Sequence, residues 1–510
     1  MIKFFSCEKP TSTKRHDAMK EAIRNTLQFI LPPAKPVKET AGYDVYPTFP
    51  LQQGMVYRGF ETFAEQISLH STVIMDGYTG VLWKDLRTRL DKALQNQGIQ
   101  AAWVDVSLAF RAPEQVEEMV EPFLGGNDPL FGTRANLQLI DFFDQDKLKN
   151  LAPVHSSTLT IFYGTGAFLS EISGFNIYID LPKNEIQYRS RAGCITNLAC
   201  TEPGDPKKMY KRFYFVDWIV LNRHKGNFIN TIGIFADLQR PDDITWAFGE
   251  SIRATLDLMA VNFFRVRPWF EPGAWGGNWI REHITGLCDD VLNYAWSFEL
   301  IVPENGLLLE GTDAMIEISF DWLMYRAASQ VLGESYRQFG NEFPIRFDFL
   351  DTFRGGNLSV QCHPRLDYMK TQFGEDFTQE ETYYILDSED DAGVYLGFQE
   401  NIDPLEFRNS LEMSFRDSVP LDIEKYVQRL PSKKHDLFLI PPGTIHGSGI
   451  NNLVLEISST PYLFTFKLYD WLRPDLDGKP RQLNISRGMD NLCFDRCGDK
   501  ITNEFISKPV

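Results

Sequence analysis

Two short stretches constrain this chain more than any others: Leu358 to His363, with Glu381 downstream of it, and LFLIPPGTIH, which ends at His446. Leu358 to His363 alternates in strand fashion, so Gln361 and His363 project from one face while Cys362 points to the other. Pro364 closes the run, because proline cannot donate to a sheet ladder. Eighteen residues after His363, Glu381 opens ETYYIL, rich in aromatic and β-branched types. Leu437 to Ile440 reads as a further strand, followed by the turn Pro441-Pro442-Gly443 and then His446. Two imidazoles, a carboxylate and an amide oxygen suit a divalent ion, borderline soft enough for zinc. Their order on successive strands is the layout of a β-barrel that carries its metal inside.

The same region resembles the type I mannose-6-phosphate isomerases, zinc enzymes of the cupin superfamily. NLSVQCHP (357–364), EETYYILD (380–387), IPPGTIHGSG (440–449), LVLEIS (453–458) and KLYDWLRPDLDGKPRQLNI (467–485) carry the resemblance. RPWFEPGAWGGNWI (267–280) marks where that domain would begin, and FPIRFDFLD (343–351) the strand leading to the metal motif. The resemblance implies one zinc ion per chain, held by Gln361, His363, Glu381 and His446. It implies aldose–ketose isomerisation of mannose 6-phosphate and fructose 6-phosphate through an enediol, whose developing charge zinc would stabilise. Ser359 shares the face of Gln361, and its counterpart binds phosphate or supports the site. Arg473 matches a family arginine, and Lys467 stands where the family has arginine. Lys467 and Arg473 are thus the expected catalytic pair, and with Ser359 the expected contacts of a phosphorylated sugar.

Three departures keep other readings open. Gln379 stands two residues before Glu381, where the family often has lysine, and Lys467 loses the bidentate geometry of arginine. Few residues follow Ile485, whereas the family continues into another barrel-like half. An uncovered sheet edge invites association, which leaves a homo-oligomer open. The alternatives are a non-catalytic cupin that binds a sugar phosphate and regulates or scaffolds, and an iron oxygenase. Gln361 and DWLRPD speak against the iron reading.

The remaining sequence points to several domains: at 510 residues the chain exceeds one ordinary core. A net charge of −18 argues against a nucleic-acid surface. Seven scattered cysteines form no disulfide framework, and no apolar run reaches the about 18 residues that cross a bilayer. With no signal-like N-terminus, the expectation is a cytoplasmic protein without membrane or nucleic-acid partners.

The expected architecture is multidomain: an N-terminal helix and linker (1–42), an α/β domain (43–262), and an isomerase-like cupin β-barrel with a helical insert (263–510). Ala18 to Ile30 has helical spacing. In the α/β domain a strand, Thr72 to Met75, meets Asp76-Gly77-Tyr78-Thr79-Gly80 and a helix with Leu82, Leu86, Leu90 and Leu94. AAWVDV, TLTIFYGTGA and NIYIDLP read as further strands. The order vaguely resembles P-loop small-molecule kinases, but the loop lacks the lysine that reaches outer phosphates, and Lys84 falls inside the helix. A degenerate kinase-like or structural domain is the expectation. Arg189 and Arg191 read as a solvated pair, His224 as surface, and YKRFYFVDWIVLNRHKGNF (210–228) as strand-like. Asp242 or Asp243 would cap the helix that follows, and Met315 to Phe339 reads as helical.

Overall fold

The computed structural model describes residues 23–24, 31–36, 42–154, 157–288, 291–302, 304–461 and 463–507. The expected helix Ala18 to Ile30 lies almost wholly outside them. The chain is multidomain, with a mixed α/β half followed by an antiparallel half.

The first half is built on a seven-stranded sheet. Its parallel core runs, across the sheet, Ala101–Asp105, Leu159–Tyr163, Thr72–Gly77, Phe175–Asp180, Ile234–Asp237. Thr245–Phe248 and Tyr57–Arg58 extend it in antiparallel fashion. Strands buried on both faces read as continuous apolar runs, as in VIM, IFY and IYI. Thr72–Gly77 lies centrally, and the turn after it enters helix Trp83–Asn96, which buries Leu86, Leu90 and Leu94. Gly80 in that turn has φ +89°, and a Cβ there would stand 3.1 Å from Ile186 and Leu181 side chains.

Four expectations for this half need correction. Residues 210–226 are helical rather than strand-like: Pro206–Arg212, a π turn Phe213–Asp217, and Trp218–Gly226. Asp205 starts this run by accepting from the N–H groups of Lys207 and Lys208. Phe213 to Trp218 are all buried, and a helix apolar all round loses the period that would identify it. Arg189 is fully buried rather than solvated, bonded to Glu185 and to the carbonyls of Gly80, Leu238 and Gln239. Arg191 is half-exposed and pairs with Glu271. His224 is buried, its Nε2 2.8 Å from Asp76 Oδ2. Asp243 caps no helix: it pairs with Arg58 at 2.8 Å, and the helix Gly249–Met259 begins after another strand.

The second half contains two antiparallel sheets. The seven-stranded sheet runs Ile506–Ser507, Leu437–Ile440, Glu380–Ser388, Asn452–Ser459, Ile345–Asp351, Trp296–Leu300, Trp269–Glu271. The five-stranded sheet runs Val427–Pro431, Gly393–Phe398, His446–Ser448, Val360–Cys362, Phe466–Tyr469. Leu350, Tyr383 and Val454 of the first share a core with Val394 and Leu396 of the second. Each such buried side chain contributes about 1.5–3 kcal/mol, which holds the two sheets face to face.

A third sheet joins the halves, because Thr48–Pro50 pairs in parallel with Gly306–Glu310. Met315–Ser319, expected as helix, is instead the antiparallel partner of that strand. Its M-I-E-I-S alternation matches the pleat, and the helix starts only at Asp321–Leu332. Further along the junction, Arg487 pairs with Asp128 at 2.7 Å and Phe131 stacks on Phe464.

Candidate metal centre

The ligand set expected from the sequence comes from both facing sheets. Gln361, His363 and His446 stand on or beside the five-stranded sheet, and Glu381 on the seven-stranded one. Gln361 is the direct cross-strand partner of His446 on one side and of Lys467 on the other. Directly paired residues share a face, so His446, Gln361 and Lys467 form one row facing Glu381.

His363 Nε2 lies 3.0 Å from Glu381 Oε2, and His446 Nε2 lies 2.8 Å from Glu381 Oε1. All three residues are buried, and one donor atom from each falls within 4.8 Å of the others. Each ring's other nitrogen is committed: His363 Nδ1 is 3.1 Å from the Phe464 carbonyl, and His446 Nδ1 is 2.9 Å from the Thr444 carbonyl. A carbonyl can only accept, so each Nδ1 carries a proton and each neutral ring turns an Nε2 lone pair toward the carboxylate. His363 Nε2 and Glu381 Oε1 form no hydrogen bond of good geometry among the described residues. Lone pairs converging in a buried space repel unless a cation lies between them, and N and O donors of this kind suit a divalent metal. Burial pushes the Glu381 carboxyl up, but positive charge at His363 and His446 outweighs it and holds it well below the usual carboxylate range; with both rings neutral, that charge has to come from an ion held between them.

The amide of Gln361 ends at the same point, its Nε2 3.4 Å from His446 Nε2. Ser359 Oγ donates to Gln361 Oε1 at 2.9 Å, so Ser359 acts here as a support for that amide. Cys362 points away, as alternation requires, toward the Gly488 carbonyl.

Lys467 is half-buried, and its Nζ makes no hydrogen bond or ion pair among the described residues. Burial and the charge of Arg481 pull it down to about 8, with Asp470 acting in opposition. Arg473 is less free. Its Nη2 donates to the Asn357 carbonyl at 2.7 Å and to Asp470, which also pairs with Arg481 at 2.6 Å. Arg473 therefore braces the segment leading into the Gln361 strand.

Behind Glu381 lies a shell of which the sequence singled out Gln379 but not Glu456 or Tyr383. Gln379 Nε2 donates to Glu381 Oε2 at 2.6 Å and to Glu456 Oε1 at 3.1 Å. Burial, with Glu381 and Asp348 nearby, holds Glu456 well above the usual range. Tyr383 is fully buried on the same strand face as Glu381, and its hydroxyl has no partner among the described residues. The two-residue offset from Glu381 was the available signal.

A family model described as a domain of unknown function (DUF8485) matches residues 59–261. Among curated proteins, the probable mannose-6-phosphate isomerase GmuF of Bacillus subtilis is 33% identical over 30% of this chain and 44% of its own. Mannose-6-phosphate isomerase ManA of the same organism is 25% identical over 44% of this chain and 66% of its own. The chain thus spans less than two thirds of the length of either relative. A crystal structure of the Bacillus subtilis mannose 6-phosphate isomerase matches at 22% identity over 45% of this chain and 68% of that one, with a TM-score of 0.35. Up to 44% of this chain is thus similar to curated mannose-6-phosphate isomerases.

Proposed function

We propose that the chain is a metal-dependent sugar-phosphate isomerase interconverting mannose 6-phosphate and fructose 6-phosphate. The observation that carries this reading is the pair of Nε2 lone pairs aimed at one buried carboxylate between two sheets. His363, Glu381 and His446 would hold the ion, with Gln361 as fourth ligand once its amide turns its oxygen inward. A bound zinc ion would supply Lewis-acid stabilisation of the charge that develops on the substrate oxygens.

The chain's own residues supply the rest. The Phe464 and Thr444 carbonyls keep both imidazoles in the ligating tautomer. Isomerisation moves a proton between C1 and C2, and a group titrating near neutrality transfers it best. Lys467, brought to about 8 and beside Gln361, suits that task or contact with the substrate phosphate. Arg473 would keep the strand mouth in place and add positive charge.

The two-sheet half is read as a cupin barrel with the segment 321–339 as its insert. The strand order and glycine turn of the first half support a degenerate kinase-like fold, without phosphotransfer. A second reading, a non-catalytic sugar-phosphate sensor, is favoured by Gln379, whose amide joins Glu381 to Glu456 where a cation would face the sugar. Assay of the purified full chain with mannose 6-phosphate, before and after chelation, separates the two. Turnover lost on chelation and restored by zinc supports the isomerase. Metal and sugar-phosphate binding without turnover supports the sensor, and restoration by ferrous ion alone overturns the zinc assignment.

A further inference from the structure

A cavity of about 830 Å³ lies where the two halves meet, and both build its wall. The parallel-sheet half contributes Lys183, Trp218 and His224, and the other half Asp321, Glu375 and Thr460. Gln361, His363, Glu381 and His446 do not line it.

Its chemistry centres on buried charge that the protein compensates incompletely. Lys183 opens helix Lys183–Arg191, is 2% exposed, and holds Nζ 3.2 Å from Asp321 Oδ2. Lys225, fully buried, holds Nζ 2.6 Å from Asp321 Oδ1. The next carboxylate, Asp180, is 4.0 Å from Lys225. It already accepts from the Ser319 N–H at 2.7 Å, the Ser319 hydroxyl at 3.0 Å and the Trp322 indole at 2.9 Å.

One carboxylate therefore answers two ammonium groups, helped by the Tyr78 ring, whose centroid is 5.1 Å from Lys183 Nζ and 4.8 Å from Lys225 Nζ. An ammonium has three protons to donate, and Asp321 is the one hydrogen-bond acceptor of Lys183 among the described residues. Trp218 is 3% exposed, and its Nε1–H has no acceptor among the described residues. The Lys183 ammonium lies 5.8 Å from the Trp218 ring. Leaving such donors buried and unanswered is costly. Cavities of this size between domains, apolar with a few convergent polar groups, are where small ligands bind.

We propose that this cavity binds a small molecule through a phosphate or carboxylate group seated against Lys183 Nζ and the Trp218 N–H. Tyr214 and Phe339 in the wall offer apolar surface to the rest of such a ligand. The site is independent of the metal centre and stands whether or not the isomerase reading does.

The test uses the full chain in a chloride buffer of constant ionic strength, titrated with inorganic phosphate and separately with acetate. Binding is read by calorimetry and by the shift in thermal midpoint. The expected result is saturable binding of at least one probe, weakened about tenfold or more by Lys183→Met and by Trp218→Phe, and unchanged by His446→Ala. A response to phosphate alone, or to acetate alone, supports the site and assigns its ligand class. Absence of binding by both probes overturns the proposal, as does binding that survives both cavity substitutions. Binding lost in His446→Ala but kept in Lys183→Met also overturns it, since the anion then sits at the metal centre. Should Lys183→Met fail to fold, Trp218→Phe, which removes the N–H and keeps an aromatic ring, decides alone.

Discussion

The two halves of the molecule bury charge in contrasting ways. Between the antiparallel sheets, Glu381 is met by two neutral imidazoles whose outer nitrogens are tied to carbonyls, so the group is poised for something added. Where the halves meet, Lys183 and Lys225 of the parallel-sheet half share the single carboxylate of Asp321 from the other half, and the group ties the halves together. The contrast separates a carboxylate the fold can lose at little cost from one, Asp321, whose removal should cost the fold. Substitutions that sort the two kinds test it.

The largest effect is expected at Lys467. Lys467→Met should lower kcat with mannose 6-phosphate by roughly 10²–10⁴-fold, the range of a positioned acid or base. Metal content and thermal midpoint should hold near wild type, and a normal kcat would remove Lys467 from the chemistry. Asp321→Asn belongs to the other class. It leaves two buried ammonium groups without their carboxylate, so denaturant unfolding should report a loss of about 3–5 kcal/mol. Glu381→Gln should cost the metal while moving stability far less, and equal losses in both variants would erase the contrast.

A smaller effect is expected behind the ligands. Ser359→Ala frees the Gln361 amide and should weaken metal binding by roughly 10–100-fold, measured by competition with a chelator. The smallest concerns Glu375, where burial pushes the carboxyl up from 4.5 to about 7 despite Arg134. The folded state then binds that proton more tightly than the unfolded chain does. Stability should therefore fall as pH rises from about 4.5 to about 7. Glu375→Gln should flatten the thermal midpoint across that window, and parallel curves for the two proteins would contradict the assignment.

The same contrast explains what could be read from the sequence. That Gln361 and His363 share a face was legible because strand alternation fixes it; that Glu381 and His446 belong with them came from the resemblance and not from any local spacing. The Thr72–Gly77 strand and its glycine turn were legible from local pattern. His224, Arg189 and the helices at 206–226 were not, because their partners Asp76, Gly80 and Leu238 are distant in sequence and no local period marks a wholly buried helix. Lys183 and Asp321 form an ion pair across 138 residues, which no spacing rule could signal. Met315–Ser319 was misread because its five-residue alternation runs straight into the apolar period of helix Asp321–Leu332, and the hairpin partner that separates the two is not visible locally. In the centre itself, the carbonyls of Phe464 and Thr444 escaped notice because any residue supplies a carbonyl.

Whether the buried carboxylate and imidazoles hold an ion is decided by the metal content of the full chain, purified without chelators and measured by elemental mass spectrometry alongside a His363→Ala/His446→Ala variant. One zinc ion per wild-type chain is expected, lost in the variant while the fold is retained by circular dichroism. A wild-type chain that binds no divalent metal even when zinc is supplied, or a double variant that keeps its metal, would contradict it.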